Sequence, residues 1–359
     1  MLYQWIISLP MMVCFFWSVF FIIRCFRRSD EPMVNGHIVL FYIAATILYF
    51  DHWFYFSGIV QLWGEWSYGV VNLCVYPLYY AYLRALTRAK VHWEVLVLLI
   101  PASFAIVLFP IGRYTGLLTD AQTFLFVRIC FAIQVVWVLV RGYRLLHQTI
   151  QRMDNTYSDD RSRLLHPTRM LLVLFGATAL VSIVLNFIGR DYFAHEASVA
   201  GPAVVMSCLL FGLGYVAAHT SIPQETVEPD NVGEVESAQR ATTAETDELM
   251  YKIGTILREQ QLFANPHLTI QDLATAVGSN RTYVSNCINR CTGYSFSQYV
   301  ARYRVEHAQQ ILSDPRYTTD KAAISEAISL SGFSSDQTFY RLFKEITGLT
   351  PTQFRHQKV

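Results

Sequence analysis

Up to about residue 219 the chain alternates long apolar runs with short polar ones; beyond that point apolar positions recur at helical spacing instead. A spanning helix needs roughly 20 apolar residues to cross about 30 Å of hydrocarbon. Seven stretches reach that length: residues 2–23, 37–56, 68–86, 93–111, 122–143, 170–188 and 199–219. Asn72 and Pro77 interrupt the third, although membrane helices tolerate proline where neighbouring groups satisfy the freed carbonyl. Six and seven spans are therefore the alternatives.

Loop charge separates them, because short cytoplasmic loops retain Lys and Arg. Arg24, Arg27 and Arg28 follow the first stretch, Arg84, Arg88 and Lys90 the third. Arg141, Arg144, Arg152, Arg161, Arg163 and Arg169 surround the fifth-to-sixth connection, whereas the opposite loops hold Arg113 alone and Arg190 alone. Seven spans with the N-terminus outside put His219 and all later residues in the cytoplasm. The first run is read as a retained span, since its basic cluster follows it and no small-x-small cleavage site stands near its end.

Past the tether the pattern is written twice: Ile270, Leu273, Ala274, Gly278, Val284, Ile288, Gly293, then Ile324, Ala327, Ile328, Gly332, Phe339, Phe343, Gly348. An amphipathic helix over 249–261, with Leu249, Ile253, Ile256 and Leu257 on one face, opens the region. Thr269 is placed to cap the next helix, Gly278 to supply a turn of positive φ, and Asn280 to cap a second helix that buries Tyr283, Val284 and Ile288. Ser295 with Gln298 makes a capping box for a long helix over 296–312, burying Phe296, Tyr299, Val300, Tyr303, Ala308 and Ile311. Gly332, Phe333 and the N-cap Ser335 then repeat the turn ahead of Phe339 and Phe343. A short helix, a glycine turn and a second helix with polar residues near its start suit insertion into a major groove. The outward positions, and so the candidate DNA-binding residues, are Asn280, Arg281, Thr282, Ser285, Asn286 and Asn289 in the first pair, and Ser335, Asp336, Gln337, Thr338, Arg341 and Lys344 in the second. Gln bonds adenine bidentately and Arg bonds guanine, while Lys344 suits a phosphate better.

The composition of 53% hydrophobic and 15% charged residues is a sum over unlike regions. Residues 251–359 carry 12 Lys or Arg against 8 Asp or Glu; residues 221–248 carry 8 acidic residues against Arg240 alone. This divides the chain into a membrane domain at 1–219, an acidic flexible linker at 220–246 and a mildly basic domain at 247–359. Treated as a coil, the linker reaches about 30 Å. Seven cysteines, most in or beside spans, give no disulfide framework. Cys287 and Cys291 are four apart on one helix, without His or Cys partners at zinc spacing, so helix packing is preferred to metal or redox chemistry. No cofactor or metal is implied.

The run from Gly332 to Lys344, then Gly348-Leu349-Thr350-Pro351 and Phe354-Arg355, together with Arg304, Ala308, Ile311 and Leu312 upstream, resembles the signature of AraC-type (AraC/XylS) transcription regulators. The resemblance covers about a hundred residues and implies an all-helical domain with two recognition helices. By that pattern Thr282, Ser285, Asn286, Asp336, Gln337 and Arg341 occupy base-reading positions. One departure is Ala327 followed by Ile328 where the family has a large residue followed by Ala, a reversal that costs about 1–3 kcal/mol if it overpacks a tight contact. The stretch 75–87 looks more weakly like one in membrane-anchored AraC-type regulators of Bacteroidetes-like bacteria, which suggests a sensor.

Polar groups inside hydrocarbon are expensive, so Asp51, His52, Asn72, Arg128 and Asn186 are candidates for a ligand or coupling network, against the blander reading of interfacial positions and interhelical pairing. The expected whole is an all-α protein: a seven-helix transmembrane bundle in a bacterial inner membrane carrying a cytoplasmic DNA reader, a one-component regulator rather than an enzyme. Its expected partners are double-stranded promoter DNA, the lipid bilayer, RNA polymerase, an unidentified signal ligand and a second copy of the chain. The rival reading is a transporter or receptor whose tail is a scaffold without DNA binding; no HExxH, phosphate-cradling glycine loop or paired catalytic carboxylates support an enzyme.

Overall fold

The computed structural model describes residues 2–27, 32–57, 64–89, 93–116, 119–188, 196–220, 243–317 and 319–358. Among them all regular structure is helical, apart from one isolated antiparallel bridge. The chain divides into two compact units, Met1–Gln148 with Leu164–Pro223, and Thr149–Arg163 with Gln224–Val359.

The first unit is built from α1 (Leu2–Phe26), α2 (Pro32–Phe56), α3 (Gly64–Leu86), α4 (Trp93–Thr115), the first part of α5 (Asp120–Thr156), α6 (His166–Ile188) and α7 (Glu196–His219). Six of these are long and apolar enough to cross a membrane by length and composition. The third, expected as a span, is not among them. Leu73, Tyr79, Tyr80, Ala81, Tyr82 and Leu83 of α3 are all buried. The other helices leave large apolar side chains such as Phe15, Leu96, Ile133, Val181 and Val205 exposed.

Close approach and hydrogen bonds to backbone hold the unit together. The Tyr42 hydroxyl donates to the Leu210 carbonyl at 2.8 Å, and Arg24 donates to the Ala218 carbonyl at 2.7 Å, joining α7 to α2 and α1. At Gly214 an added Cβ would stand 2.3 Å from the Trp17 ring, so glycine is what lets α7 reach α1. Glu94 at the start of α4 accepts from Arg84 and from Arg141, each at 2.6 Å, and from the Tyr80 hydroxyl at 3.1 Å. A lone acid in an apolar run thus ties α3, α4 and α5.

The second unit contains α8 (Thr243–Glu259), a 3-10 turn (Leu262–Ala264), α9 (Ile270–Val277), α10 (Arg281–Thr292), α11 (Phe296–Leu312), α12 (Asp320–Leu330), α13 (Asp336–Thr347) and α14 (Pro351–Lys358). The opening helix starts six residues before the apolar periodicity does, with Glu245 in its first turn, where a carboxylate favours the helix dipole, and Thr246 buried. Residues 221–242, most of the expected linker, lie outside the described residues.

The long helix α11 serves two cores. Phe296, Tyr299 and Val300 join Leu249, Ile253, Leu273, Val284 and Ile288; Val305, Ala308 and Leu312 join Ala323, Ala327, Phe339 and Phe343. Tyr303 and Ile311, expected to be buried, lie only half-buried at its edges, and Ala301, Arg304, Val305 and Leu312 are buried instead. The reversal at 327–328 leaves the small residue inside. Ala327 is fully buried at the tight contact, while Ile328 turns to the rim and packs there half-buried.

Arg355 on α14 closes the second core. Its Nε donates to Asp320 Oδ1 at 2.9 Å, its Nη1 to the Leu312 carbonyl at 3.2 Å and its Nη2 to the Tyr317 carbonyl. Removing a charged donor that serves two otherwise orphaned carbonyls costs about 1–3 kcal/mol. Arg355→Ala should therefore lower the denaturant midpoint of the second unit's transition at unchanged slope; an unchanged midpoint would show that water replaces these bonds.

Candidate nucleic-acid interface

Helices α10 and α13 are each placed by a cap and a glycine. Thr269 Oγ1 accepts from the Asp272 N–H at 3.2 Å while Asp272 Oδ2 accepts from the Thr269 N–H at 2.9 Å, a reciprocal capping box that starts α9. Gly278, at φ 69°, turns the chain, and Asn280 Oδ1 accepts from the Tyr283 N–H at 2.7 Å to start α10. In the second pair Gly332, at φ 74°, passes so close to the backbone of Phe263 and Ala264 that a Cβ would meet the Phe263 carbonyl at 2.5 Å. Glycine is required there twice over. Ser335 Oγ then accepts from the Thr338 N–H at 3.2 Å and starts α13.

Burial of Val284, Cys287 and Ile288 on α10, and of Phe339 and Phe343 on α13, fixes which residues each helix turns outward. Asp336, Gln337 and Lys344 are exposed; Arg281, Ser285, Asn286 and Asn289 are half-exposed. Asn280 and Ser335 spend their acceptor oxygens on helix caps. Thr338 accepts a hydrogen bond from Ser335 Oγ at 3.0 Å. The Thr282 hydroxyl is not on an open face: its oxygen is buried and has no hydrogen-bond partner among the described residues. Arg341 is half-buried, donating to Glu345 at 2.8 Å and ion-paired with Asp160.

Asp160 belongs to a segment that the sequence did not place here. Residues 149–163, the end of α5 and the bend after it, pack in the second unit, held by Arg304. This guanidinium donates from Nη1 to the Ser158 carbonyl at 2.9 Å, from Nη2 to Ser158 Oγ and the Asn265 carbonyl, each at 2.8 Å, and from Nε to the Phe263 carbonyl at 2.8 Å. Burial pulls its pKa down to about 10. Periodicity could not reveal the docking, because it rests on polar groups; the acidic pair Asp159-Asp160 inside an otherwise basic loop was the available signal.

Cys287 is buried, with its thiol donating to the Thr246 carbonyl at 3.3 Å, and burial pushes its pKa up to about 12. It is a packing residue. In the first unit Asp51 accepts from the Ser67 hydroxyl at 3.1 Å, and the His52 ring meets Tyr68 edge-on at 4.9 Å, so α2 and α3 bring these two candidates together with polar and aromatic neighbours. Asn72 is buried on α3 and Arg128 half-buried on α5; the Asn186 side chain lies outside the described residues. Among the described residues no group of His, Cys, Asp and Glu is arranged to hold a metal ion.

Residues 273–357, from within α9 to the last turn of α14, match the family described as "Helix-turn-helix domain". The chain is 34% identical over 88 residues to the melibiose operon regulatory protein of Escherichia coli (strain K12), covering 24% of this chain and 28% of that protein. It is 35% identical over 88 residues to the uncharacterized HTH-type transcriptional regulator YisR of Bacillus subtilis (strain 168), covering 24% and 29%. To the uncharacterized transcriptional regulatory protein YesN of the same organism it is 34% identical over 96 residues, covering 26% and 25%. The chain thus spans under a third of the length of these relatives. No solved structure matches it.

The buried Thr282 hydroxyl gives a direct test. A methyl in its place loses no hydrogen bond and removes an unpaired buried polar group, so Thr282→Val should leave stability unchanged or raise it by up to about 1 kcal/mol in urea unfolding. A loss of that size instead would mean that the hydroxyl has a partner in solution.

Proposed function

We propose that the chain is a membrane-embedded one-component transcription regulator. Two helix-turn-helix units, α9 with α10 and α12 with α13, read promoter DNA sequence-specifically, and a membrane or extracytoplasmic signal acting on the first unit sets whether they do. The observation that carries this reading is the capped, glycine-turned second pair, with Gln337 and Lys344 open on α13 and Arg341 beside them, inside a region matched as a helix-turn-helix domain. The regulator role given in the relatives' names points the same way.

Membrane embedding is supported by six long apolar helices with exposed large hydrophobics, and a seventh span by α3, whose 23 residues are long enough to cross at about 1.5 Å each. With seven spans and the basic loops inside, the DNA-binding domain would lie in the cytoplasm of a bacterial cell. The expected readers are Arg281, Ser285, Asn286 and Asn289 on α10 and Asp336, Gln337, Arg341 and Lys344 on α13; Asn280, Ser335 and Thr338 serve mainly to hold these helices. Asp51 and His52, near the outer end of α2, are the first place to look for the signal.

Binding of selected promoter fragments to the full chain in lipid nanodiscs tests the reading. Arg341→Ala should cost about 1–3 kcal/mol and relax the preference at one base pair, whereas Lys344→Ala should weaken all sequences alike and lower the salt slope by about one. Equal affinity for every fragment, unchanged by either substitution, would contradict sequence reading and favour a scaffold.

A further inference from the structure

The segment Thr149–Arg163 joins two apolar helices in sequence but packs in the second unit, where it touches four helices of the DNA-binding region or their caps. Tyr157 forms an antiparallel bridge with Thr269, the cap of α9, and the Ser158 N–H donates to the Leu268 carbonyl at 3.0 Å. Ser158 also accepts twice from Arg304 on α11. Asn155 Oδ1 lies 3.5 Å from Asn289 Nδ2 on α10, and Asp160 pairs with Arg341 on α13. One strap thus contacts both recognition helices, at Asn289 and Arg341, the very type of outward polar group a base pair would need.

The two uses of Arg341 compete. Guanine is read by two parallel donors of a guanidinium aimed at O6 and N7. In this structure the donors of Arg341 are turned to Asp160 and Glu345, and a carboxylate held beside them repels an approaching phosphate. The grip is also poised rather than permanent. Burial raises the Asp160 carboxyl above its ordinary value even with Arg341 and Arg163 beside it, so docking carries a desolvation cost that release returns.

We propose that residues 155–160 are an autoinhibitory latch: docked, they keep α10 and α13 from DNA, and reading a promoter requires Asp160 to leave Arg341. This rests on the DNA-reading function proposed above. The latch is continuous in sequence with α5, whose apolar part is one of the proposed spans.

The test uses the full chain in lipid nanodiscs. Random-sequence duplexes are selected separately with the unaltered protein and with Asp160→Asn, and affinity for the enriched duplexes is measured at fixed salt, with Glu259→Gln as a control for the lost charge. Hydrogen exchange at the Ser158 amide is followed with and without duplex. The latch predicts that Asp160→Asn binds about tenfold tighter, as when docking leaves about a tenth of molecules competent. It also predicts that the control matches the unaltered protein and that duplex speeds exchange at Ser158. Specific binding that is no tighter in Asp160→Asn, or that leaves Ser158 equally protected, would overturn the latch while the DNA-reading function stands. Enrichment of no duplex by either protein would overturn that function and the latch with it.

Discussion

The Arg304 guanidinium is the point on which the second unit's arrangement turns. It is almost fully buried, and although burial pulls its pKa down to about 10 it stays charged at neutral pH; four oxygens, from Phe263, Asn265 and both acceptors of Ser158, accept its hydrogen bonds in place of lost water. A buried cation deprived of such partners is penalised by several kcal/mol. The fold thereby couples three things that are far apart in sequence: the turn after α8, the helix connecting the two cores, and the bend after α5. Half of the hydrogen bonds around Arg304 come from that bend, so the domain and the strap are specified together.

Around that centre the construction is economical in chemistry. Helices α10 and α13 each begin on a side-chain oxygen that takes a backbone N–H, at Asn280 and Ser335, and each is preceded by a glycine of positive φ. Aromatic and aliphatic residues on one face lock the register, leaving polar residues on the other. Arg355 repeats on a smaller scale what Arg304 does, a guanidinium on one helix closing the carbonyl ends of its neighbours. The first unit uses the same device at Glu94, which accepts from two arginines and a tyrosine.

Much of this was legible in the sequence, for a physical reason. Caps, glycine turns and apolar periodicity are local signals, and Thr269, Gly278, Asn280, Ser295, Gly332 and Ser335 each sit where those signals place them. What escaped was long-range and polar. Nothing local distinguishes Asp160 as the partner of Arg341 or Ser158 as that of Arg304, and Thr282 looks outward by spacing although its hydroxyl is buried. The third apolar run was ambiguous because Asn72 and Pro77 interrupt it, and α3 buries much of its surface without reaching the apolarity of the other six helices.

A chain that reads DNA from a membrane must occupy particular promoters in the living cell. Crosslinking bound DNA in living cells and mapping it genome-wide, for the native chain and for Arg341→Ala expressed at equal level in the membrane fraction, tests this most directly. The account predicts a small set of enriched promoter sites sharing one sequence motif, lost or degraded in the variant. A uniform genomic background in both, with the protein present in the membrane, would contradict it.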